Sequence, residues 1–304
     1  MALLVIRPGL STTVQDQGRF GYRGFGVPVG GAFDRGSFDL ANALLGNDPD
    51  DAALEMTLVG GTYRAEVDLA IALAGAPMLA TIRPASGPDR PMVVPQATML
   101  KAGDELVVGG SPFGARTYLA VRGGWQTPLV LASRSSETRL EPGVRLPANP
   151  GASSTRRPVR WPWLISGNDE ALCIVDGPDA DSGDASLLES GEYRVSGQSN
   201  RMGLRLEGTT IDRGAEPDRV SAPVAPGAIQ IAGGQPIVLG VAGGTMGGYL
   251  HLAHVIAVDL DRLAQLRPGG RLTFRRVEIE EARHLDRLER IERTRRLELL
   301  RIQV

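Results

Sequence analysis

Ile71-Ala72-Leu73-Ala74-Gly75 and Val238-Leu239-Gly240-Val241-Ala242-Gly243 are two apolar stretches in different halves of the chain, and each runs into glycine. Further short apolar stretches surround both of them, separated by turns rich in glycine and proline. Many short strands at such spacing are typical of β-barrels and β-sandwiches. The sequence therefore predicts a mainly β protein. The echo between the two halves is compatible with two similar barrels that face one cleft, but does not establish them by itself.

Helical signals are few. A helix over 34–45 would begin at an acidic N-cap, Asp34, and end at Gly46. A short helix over 259–266 would end before Pro268, and the charged, amphipathic stretch 278–299 predicts a C-terminal helix.

The run 146–162 has the proline and serine content of a linker and is the best domain boundary. We therefore expect an N-terminal β-barrel domain at 1–160, a C-terminal β-barrel domain at 161–277 and a helix at 278–304.

Composition excludes several classes of protein. The 304 residues carry a formal net charge of -2, which argues against bulk attraction to nucleic acid or to an anionic membrane. No run approaches the roughly 20 apolar residues that span a bilayer, and the apolar start at 1–5 is too short for a secretory signal. The single cysteine, Cys173, fits a reducing compartment. We expect a cytoplasmic protein that binds neither nucleic acid nor membrane.

Several catalytic motifs are absent. The chain has no G-x-x-x-x-G-K-[ST] stretch, so no P-loop nucleotide site is predicted, and Lys101 is its only lysine. The histidines are His251, His254 and His284. In a strand over 249–258 the first two would face opposite sides, so no metal site is predicted.

One polar stretch lies near the N-terminus and gathers Gln15, Asp16, Arg19 and Tyr22 among glycines. Glycine lets the backbone approach a ligand closely, so such loops suit a binding surface. Asp16 and Arg19 could instead pair with each other or cap the helix that starts near Asp34.

A second polar stretch lies in the other half, where Gln198, Ser199 and Arg201 precede Gly203. The arginine offers a bidentate donor to a carboxylate or phosphate, although the stretch could be an ordinary hairpin turn. Downstream, the stretch 243–249 could form a nest of backbone amides for an anion or oxyanion, or a flexible tight hairpin. The two polar stretches together predict a pocket built by both halves of the chain.

The order of these motifs resembles a known family. The resemblance runs through 7–9, 13–16, 18–19, 21–22, 26–28, 32 and 34. It continues through 40–42, 46–47, 53–55 and 133–135, and ends with 199, 201–203, 226–230, 234–237 and 247–249. On these residues the chain is identified as similar to the biotin-dependent carboxyltransferase family, also called allophanate hydrolase subunit 2. That family includes the C subunit of bacterial 5-oxoprolinase and the carboxyltransferase domain of urea carboxylase.

The resemblance implies two cyclophilin-like β-barrels and a partner that is similar to the B subunit of 5-oxoprolinase, with the A subunit as a third component in that enzyme. The implied reaction is the ATP-driven opening of a lactam, 5-oxoproline, to glutamate. ATP would act in the assembled complex, and carboxybiotin would be needed only in a urea carboxylase-like system, where urea or another amide accepts the carboxyl group.

The motifs and the resemblance together nominate the site. Predicted catalytic residues are Asp16, Arg19, Arg201, Thr245 and Tyr249. Predicted substrate-binding residues are Gln15, Tyr22, Ser133, Arg134, Gln198, Ser199, Gln230, Gly247 and Gly248. Arg19 and Arg201 would hold a carboxylate or phosphate, Asp16 would orient or accept a proton, and the amides of 247–248 would bind an oxyanion.

An alternative function stays open. Many members carry Asp-Arg-Gln-Thr-Thr where this chain has Ala242-Gly243-Gly244-Thr245-Met246. A non-catalytic paralogue that binds or regulates a B-subunit-like, kinase-inhibitor-like protein would also fit this pattern.

Overall fold

A computed structural model describes residues 2–148, 171–180, 184–211 and 220–302. The chain divides into two compact units. Unit 1 comprises the described residues within Met1–Arg19, Asp34–Ile165 and Arg293–Val304, and unit 2 those within Phe20–Phe33 and Ser166–Glu292. Most of the predicted linker, from 149 onwards, lies outside the described residues. The domain bounds inferred from the sequence stay a prediction.

Two antiparallel sheets, an 11-residue helix and the end of the C-terminal helix build unit 1. The six-stranded sheet has the order β11-β1-β4-β9-β6-β7 and the five-stranded sheet the order β2-β3-β10-β5-β8. The strands are β1 Leu3–Arg7, β2 Ser11–Gln15, β3 Ala53–Thr57, β4 Thr62–Ala65, β5 Leu69–Gly75, β6 Ala80–Arg83, β7 Arg90–Met92, β8 Gln96–Leu100, β9 Glu105–Val108, β10 Arg116–Val121 and β11 Arg145–Leu146.

The core of unit 1 lies between its two sheets, because buried residues of both contribute to one apolar cluster that includes Val5, Leu54 and Ile71. Strands β5 and β10 are buried at every position. They contact the core on one face and helix α1, Arg35–Leu45, on the other. This explains why the β5 sequence is continuously apolar and does not alternate.

An eight-stranded sheet forms the body of unit 2, with the order β20-β13-β14-β17-β16-β19-β12-β21. All of its pairs are antiparallel except β12 with β21. The strands of unit 2, including the separate pair β15 and β18, are β12 Leu172–Asp176, β13 Tyr193–Val195, β14 Gly203–Gly208, β15 Ala222–Pro223, β16 Ala228–Ala232, β17 Gln235–Leu239, β18 Met246–Gly247, β19 Leu250–Val255, β20 Arg271–Leu272 and β21 Phe274–Arg276.

The predicted mainly β architecture is confirmed, with 36% strand, 19% helix and a nearly closed barrel sheet. Helix α1 has Asp34 as its N-cap and Gly46, with φ of 66°, as its C-cap. The remaining helices are α2 Asp184–Ser190, α3 Leu260–Ala264 and α4 Ile279–Ile302. Helix α2 was not predicted from the sequence, and residues 13–15, expected in a polar loop, belong to strand β2.

Helix α4 begins against unit 2. Ala282 and Leu285 pack on a small apolar cluster of Cys173, Ile256 and Val277. The first turns of the helix therefore cover apolar side chains of unit 2. No helix in the described parts of the chain is long and apolar enough to cross a membrane.

A buried polar network fixes the start of α1. Tyr118 Oη donates to Glu55 Oε2 at 2.7 Å and accepts the backbone N–H of Asp34 at 2.9 Å. Arg116 Nε lies 3.3 Å from Glu55 Oε1. Burial, and after it the Glu55 charge, raises the pKa of Tyr118 well above its usual value. The hydroxyl therefore stays protonated and keeps donating to Glu55.

We predict that Glu55→Ala lowers the free energy of unfolding by about 3–5 kcal/mol, because it leaves the Arg116 charge buried without this partner. The matched control is Glu105→Ala, which breaks the more exposed pair with Arg64 and should cost only about 0–1 kcal/mol. Urea unfolding of both variants measures the difference. Equal losses would contradict a structural role for the Glu55 network.

Candidate functional site

The Asp16 carboxylate organises the polar end of β2 in unit 1. Its Oδ1 accepts hydrogen bonds from Gly18 N at 2.8 Å, Ser133 Oγ at 2.7 Å and Ser135 Oγ at 2.5 Å. Its Oδ2 accepts one from Arg134 N at 2.5 Å. The backbone N–H of Asp16 donates to Ser135 Oγ at 3.0 Å. Asp16 thus joins the end of β2 to the loop 133–135.

Three further predicted residues lie in this loop or bond to it or to the residue after it. Gln15 Nε2 donates to Ser136 O at 2.9 Å, and Arg19 Nη2 donates to Ser135 O. The guanidinium of Arg134 donates to Thr127 O and, at 3.0 Å, to the side chain of Gln126. The structure therefore brings together Gln15, Asp16, Arg19, Ser133 and Arg134, as residues of one unit. Asp16 and Arg19 form neither the mutual pair nor the helix cap that the sequence left open.

Ser135 is the residue of this site that the sequence analysis did not nominate. Its hydroxyl contacts both the carboxylate and the backbone N–H of Asp16. The sequence did contain a signal, because serines two apart in extended backbone face the same side. Ser133 and Ser135 meet that spacing, and both are buried.

In unit 2 the backbone joins three glycine-containing segments. Gly240 N and Ala242 N donate to the carbonyls of Met202 and Arg201 at 2.9 and 3.1 Å. A Cβ at Gly240 would lie 2.2 Å from the Arg201 carbonyl oxygen, so glycine is required for this approach. The second polar stretch and the glycine-rich stretch predicted from the sequence are therefore neighbours.

The third segment comes from the N-terminal part of the chain. Arg201 is buried and its Nη2 donates to Gly31 O at 2.6 Å, while Gly30 N donates to Val241 O at 3.1 Å. Gly30 and Gly31 have φ of 64° and 80°, a left-handed conformation that favours glycine. The Arg201 guanidinium thus holds this segment in place.

Gln230 and Gly247 form a tight contact beneath Tyr249. Gln230 is buried, and its Nε2 lies 3.5 Å from the Tyr249 carbonyl oxygen. A Cβ at Gly247 would lie 2.4 Å from Gln230 Nε2. The Tyr249 side chain is half exposed. Gln230, Gly247 and the Tyr249 backbone therefore lie close to one another. Gly248, between Gly247 and Tyr249 in the sequence, is exposed.

The remaining predicted residues have structural contacts of their own. Thr245 is buried and its carbonyl accepts Val224 N at 3.0 Å. The Ser199 hydroxyl bonds the backbone of Arg205, which is the hairpin-turn role that the sequence left open. Gln198 is exposed beside Ser199. The Tyr22 carbonyl accepts Phe25 N at the start of a short 3-10 helix, Arg23–Phe25.

His251 and His254 lie close together, so the expectation that they face opposite sides is wrong. Their ring centroids are 6.0 Å apart. The cause is a β-bulge, because the register between β16 and β19 shifts between Ile229 and Gln230 and breaks the alternation of side chains. Among the described residues, no group of three His, Cys, Asp or Glu side chains is arranged to hold a metal ion.

Burial lowers the pKa of both imidazoles below the ordinary value of 6.5, and the neighbouring His254 lowers that of His251 further. The unfolded chain therefore binds more protons than the folded one at mildly acidic pH. Stability that is complete above about pH 6.5 is then lost as the pH falls toward the lowered folded pKa values.

We predict that the free energy of unfolding falls between pH 7.5 and pH 5.5, and that His254→Gln reduces this pH dependence. Urea unfolding at both pH values measures it. His284→Gln, whose side chain is exposed on α4, is the matched control and should retain the wild-type dependence. A wild-type slope in His254→Gln would contradict the assignment.

We predict that Gly247→Ala displaces the Gln230 amide and lowers the free energy of unfolding by about 1–3 kcal/mol, because the added methyl overpacks a buried contact. Gly244→Ala is the control, since a Cβ there would lie 3.4 Å from its nearest neighbour, Met246 O. Thermal unfolding and the side-chain amide NMR signal of Gln230 report the change. An unshifted Gln230 signal in Gly247→Ala would refute the contact.

Comparison with known proteins identifies relatives along nearly the whole chain. The family model for the carboxyltransferase domain, subdomain A and B, matches residues 25–276. The chain is 34% identical to the C subunit of 5-oxoprolinase from Escherichia coli, a match that covers 92% of this chain and 93% of that protein. It is 30% identical to urea amidolyase of Saccharomyces cerevisiae over 93% of this chain and 17% of the longer protein.

Solved structures agree with the sequence relatives. The Kluyveromyces lactis urea amidolyase structure superposes with a TM-score of 0.85 at 27% identity, over 98% of this chain and 20% of that one. The urea carboxylase structure from the same organism gives a TM-score of 0.84 at 28% identity, over 98% and 29% of the two chains. With its two β-rich units and this sequence match, the chain belongs to the carboxyltransferase domain family, subdomain A and B.

Proposed function

We propose that this chain is the C-subunit-like component of an enzyme that opens the lactam of 5-oxoproline to glutamate, driven by ATP. It would act in a complex with a B-subunit-like partner and an A-subunit-like protein. The observation that supports this choice is coverage: the match to the C subunit of 5-oxoprolinase spans nearly all of both proteins. The matches to urea amidolyase span less than a fifth of those longer chains.

The proposed roles follow from the chemistry of ring opening. The lactam carbonyl gains negative charge as it is attacked, so preorganised donors are needed at that oxygen. The amides of Gly247 and Gly248, with Thr245 and Tyr249, would supply them. Arg19 in unit 1 and Arg201 in unit 2 would each offer a donor to a carboxylate or phosphate. Asp16 would orient the loop 133–135, because four donors already occupy its two oxygens.

A P-loop site for ATP is not predicted in this chain. The sequence has no P-loop, and its single lysine, Lys101, is exposed and paired with Asp68 at 2.8 Å. We therefore assign nucleotide binding to the assembled complex. Carboxybiotin would likewise arrive on another protein, and only if the acceptor is urea or a related amide.

Exposed apolar side chains at one end of unit 1 support assembly with another chain. Leu10 N donates to Val59 O, Val59 bridges to Gly110, and Leu79 N donates to Gly110 O. Leu10, Val59 and Leu79 are exposed, as is Phe113 in the loop that follows Gly110. Adjacent exposed apolar groups of this size are typical of surfaces that contact proteins.

A second candidate function is a non-catalytic component that binds or regulates a B-subunit-like protein. It is favoured by one observation, that the stretch Ala242-Gly243-Gly244 carries no acid, base or charged side chain. Both candidates require a partner, so turnover by the complex separates them.

We predict that the chain, coexpressed with A-subunit-like and B-subunit-like proteins of the same genome, copurifies with the B-subunit-like protein. The complex should hydrolyse ATP in response to 5-oxoproline and release glutamate. Tyr249→Phe should lower kcat about hundredfold, because it removes one proposed oxyanion donor. Its side chain is half exposed, so folding should be unaffected.

Tyr193→Phe is the control, since it removes the hydroxyl of another tyrosine, in strand β13. The Tyr193 Oη lies 3.5 Å from the Leu187 carbonyl oxygen. That variant should keep wild-type kcat. Arg201→Ala is a poorer test, because the buried guanidinium also holds the Gly31 carbonyl. Copurification without turnover would reject the enzymatic proposal and favour the regulatory one.

A further inference from the structure

Exposed apolar side chains form a continuous row at one end of the six-stranded sheet of unit 1. Leu10 N donates to Val59 O, and Leu79 N donates to Gly110 O, while Val59 and Gly110 are bridge partners. The antiparallel register of β6 and β7 places Leu79 opposite Val93. We call this surface the apolar end of unit 1; its exposed side chains are Leu10, Val59, Leu79, Val93 and Phe113.

Gly110 leaves a notch in the middle of this row. A Cβ at Gly110 would have a single neighbour within 4 Å, the Leu58 carbonyl oxygen at 3.8 Å, so the space in front of the glycine is open. Val59 lies on one side of it and Leu79 on the other. The notch therefore has apolar walls and a floor of backbone.

Phe113 is a projecting group beside the notch. It lies three residues after Gly110, and about half of its surface is exposed. The turn that carries it is fixed, because Ser111 is buried and its hydroxyl donates to the Phe113 carbonyl. The apolar end thus has both a recess and a projection.

The apolar end carries no charge. The segments that build it are 8–12, 57–62, 76–80, 92–96 and 108–115, and none of them contains Asp, Glu, Lys, Arg or His. Nucleic acid and anionic lipid headgroups are bound through Lys and Arg, so neither of them fits this surface. An uncharged surface can, however, meet its own copy without the like-charge repulsion that opposes self-association.

Shape leads to the same occupant. In a two-fold dimer one surface must be complementary to itself, because each contact from the first copy to the second is repeated in the opposite direction. A recess and a projection on one surface meet this requirement. We propose that the apolar end of unit 1 docks on the apolar end of a second copy of this chain, with Phe113 of each copy in the notch at Gly110 of the other.

Such a dimer leaves the polar end of β2 uncovered. Leu10 directly precedes this strand, Ser11–Gln15, and Asp16 directly follows it. Five residues of extended strand span about 17 Å, so the apolar end and the Asp16 carboxylate lie at opposite ends of β2. The apolar end is thereby assigned to self-association, and the dimer is independent of the proposed function and of its B-subunit-like partner.

Sedimentation velocity of the full chain between about 1 and 100 µM tests the dimer. The wild-type chain should shift from monomer toward dimer mass as the concentration rises. Leu79→Asp should weaken self-association at least about tenfold, because it buries an unpaired carboxylate from each copy in the contact. Leu79 is 74% exposed, so folding should be unaffected.

Leu129→Asp is the matched control, since Leu129 is an exposed leucine of unit 1 outside the apolar end. That variant should keep the wild-type association. A wild-type chain that stays monomeric over the whole range overturns the proposal, and so does a dimer that survives Leu79→Asp.

Gly110→Leu separates the notch from general apolar association. The backbone at Gly110 lies outside the left-handed region and its Cβ has open space, so the variant should fold. It adds apolar surface but fills the notch, and it should weaken self-association at least about tenfold. Unchanged or tighter association of Gly110→Leu would refute the docking of Phe113 in the notch.

A cross-link checks the contact directly. An equal mixture of Phe113→Cys and Gly110→Cys should form a disulfide-linked pair on oxidation, while the native Cys173 is buried. A dimer without this cross-link overturns the proposed contact. Turnover of 5-oxoproline by a complex that holds a single copy of this chain would reject the dimer and leave the proposed function standing. A dimer whose complex shows no turnover would do the reverse.

Discussion

The carboxylate of Asp16 is the constraint on which the polar end of unit 1 depends. It is buried, yet four donors from Gly18, Ser133, Arg134 and Ser135 surround it. A carboxylate can be buried at low cost only when its oxygens are paired in this way. The loop 133–135 is therefore fixed relative to β2. Because that loop and the residue after it carry the carbonyls that hold Gln15 and Arg19, their positions depend on Asp16 as well.

In unit 2, hydrogen bonds between backbone groups hold the polar segments together, where unit 1 uses a carboxylate. The three glycine-containing segments of unit 2 approach each other through N–H and C=O groups, and one buried guanidinium, Arg201, joins Gly31 to them. Such close approach needs positions without a Cβ, as at Gly240. This explains why these stretches contain many glycines. It also explains how the stretch 240–248 keeps its backbone contacts although it carries few functional side chains.

The sequence predicted the β-rich fold, the α1 caps and the C-terminal helix, because these depend on local signals and on apolar periodicity. It missed β2, whose residues Thr13 and Gln15 are polar but buried by tertiary contacts. It placed His251 and His254 on opposite sides, because a β-bulge depends on the partner strand and leaves no mark on spacing. It could nominate Gln15 and Arg19, but not the atoms that stay unpaired.

The fold that the family shares and the choice of substrate depend on different residues. A match over nearly the whole chain reflects cores and strand pairing, which many side chains determine together. Recognition of a small amide, by contrast, depends on two or three polar atoms, since one unpaired group at a hydrogen-bonding site changes affinity by orders of magnitude. Beside the loop 133–135, Gln15 Oε1, Arg19 Nε and Thr127 Oγ1 are buried without a hydrogen-bond partner among the described residues. Overall similarity extends to both 5-oxoprolinase and urea amidolyase, so the choice between their substrates depends on a few such side-chain atoms and not on the shared fold.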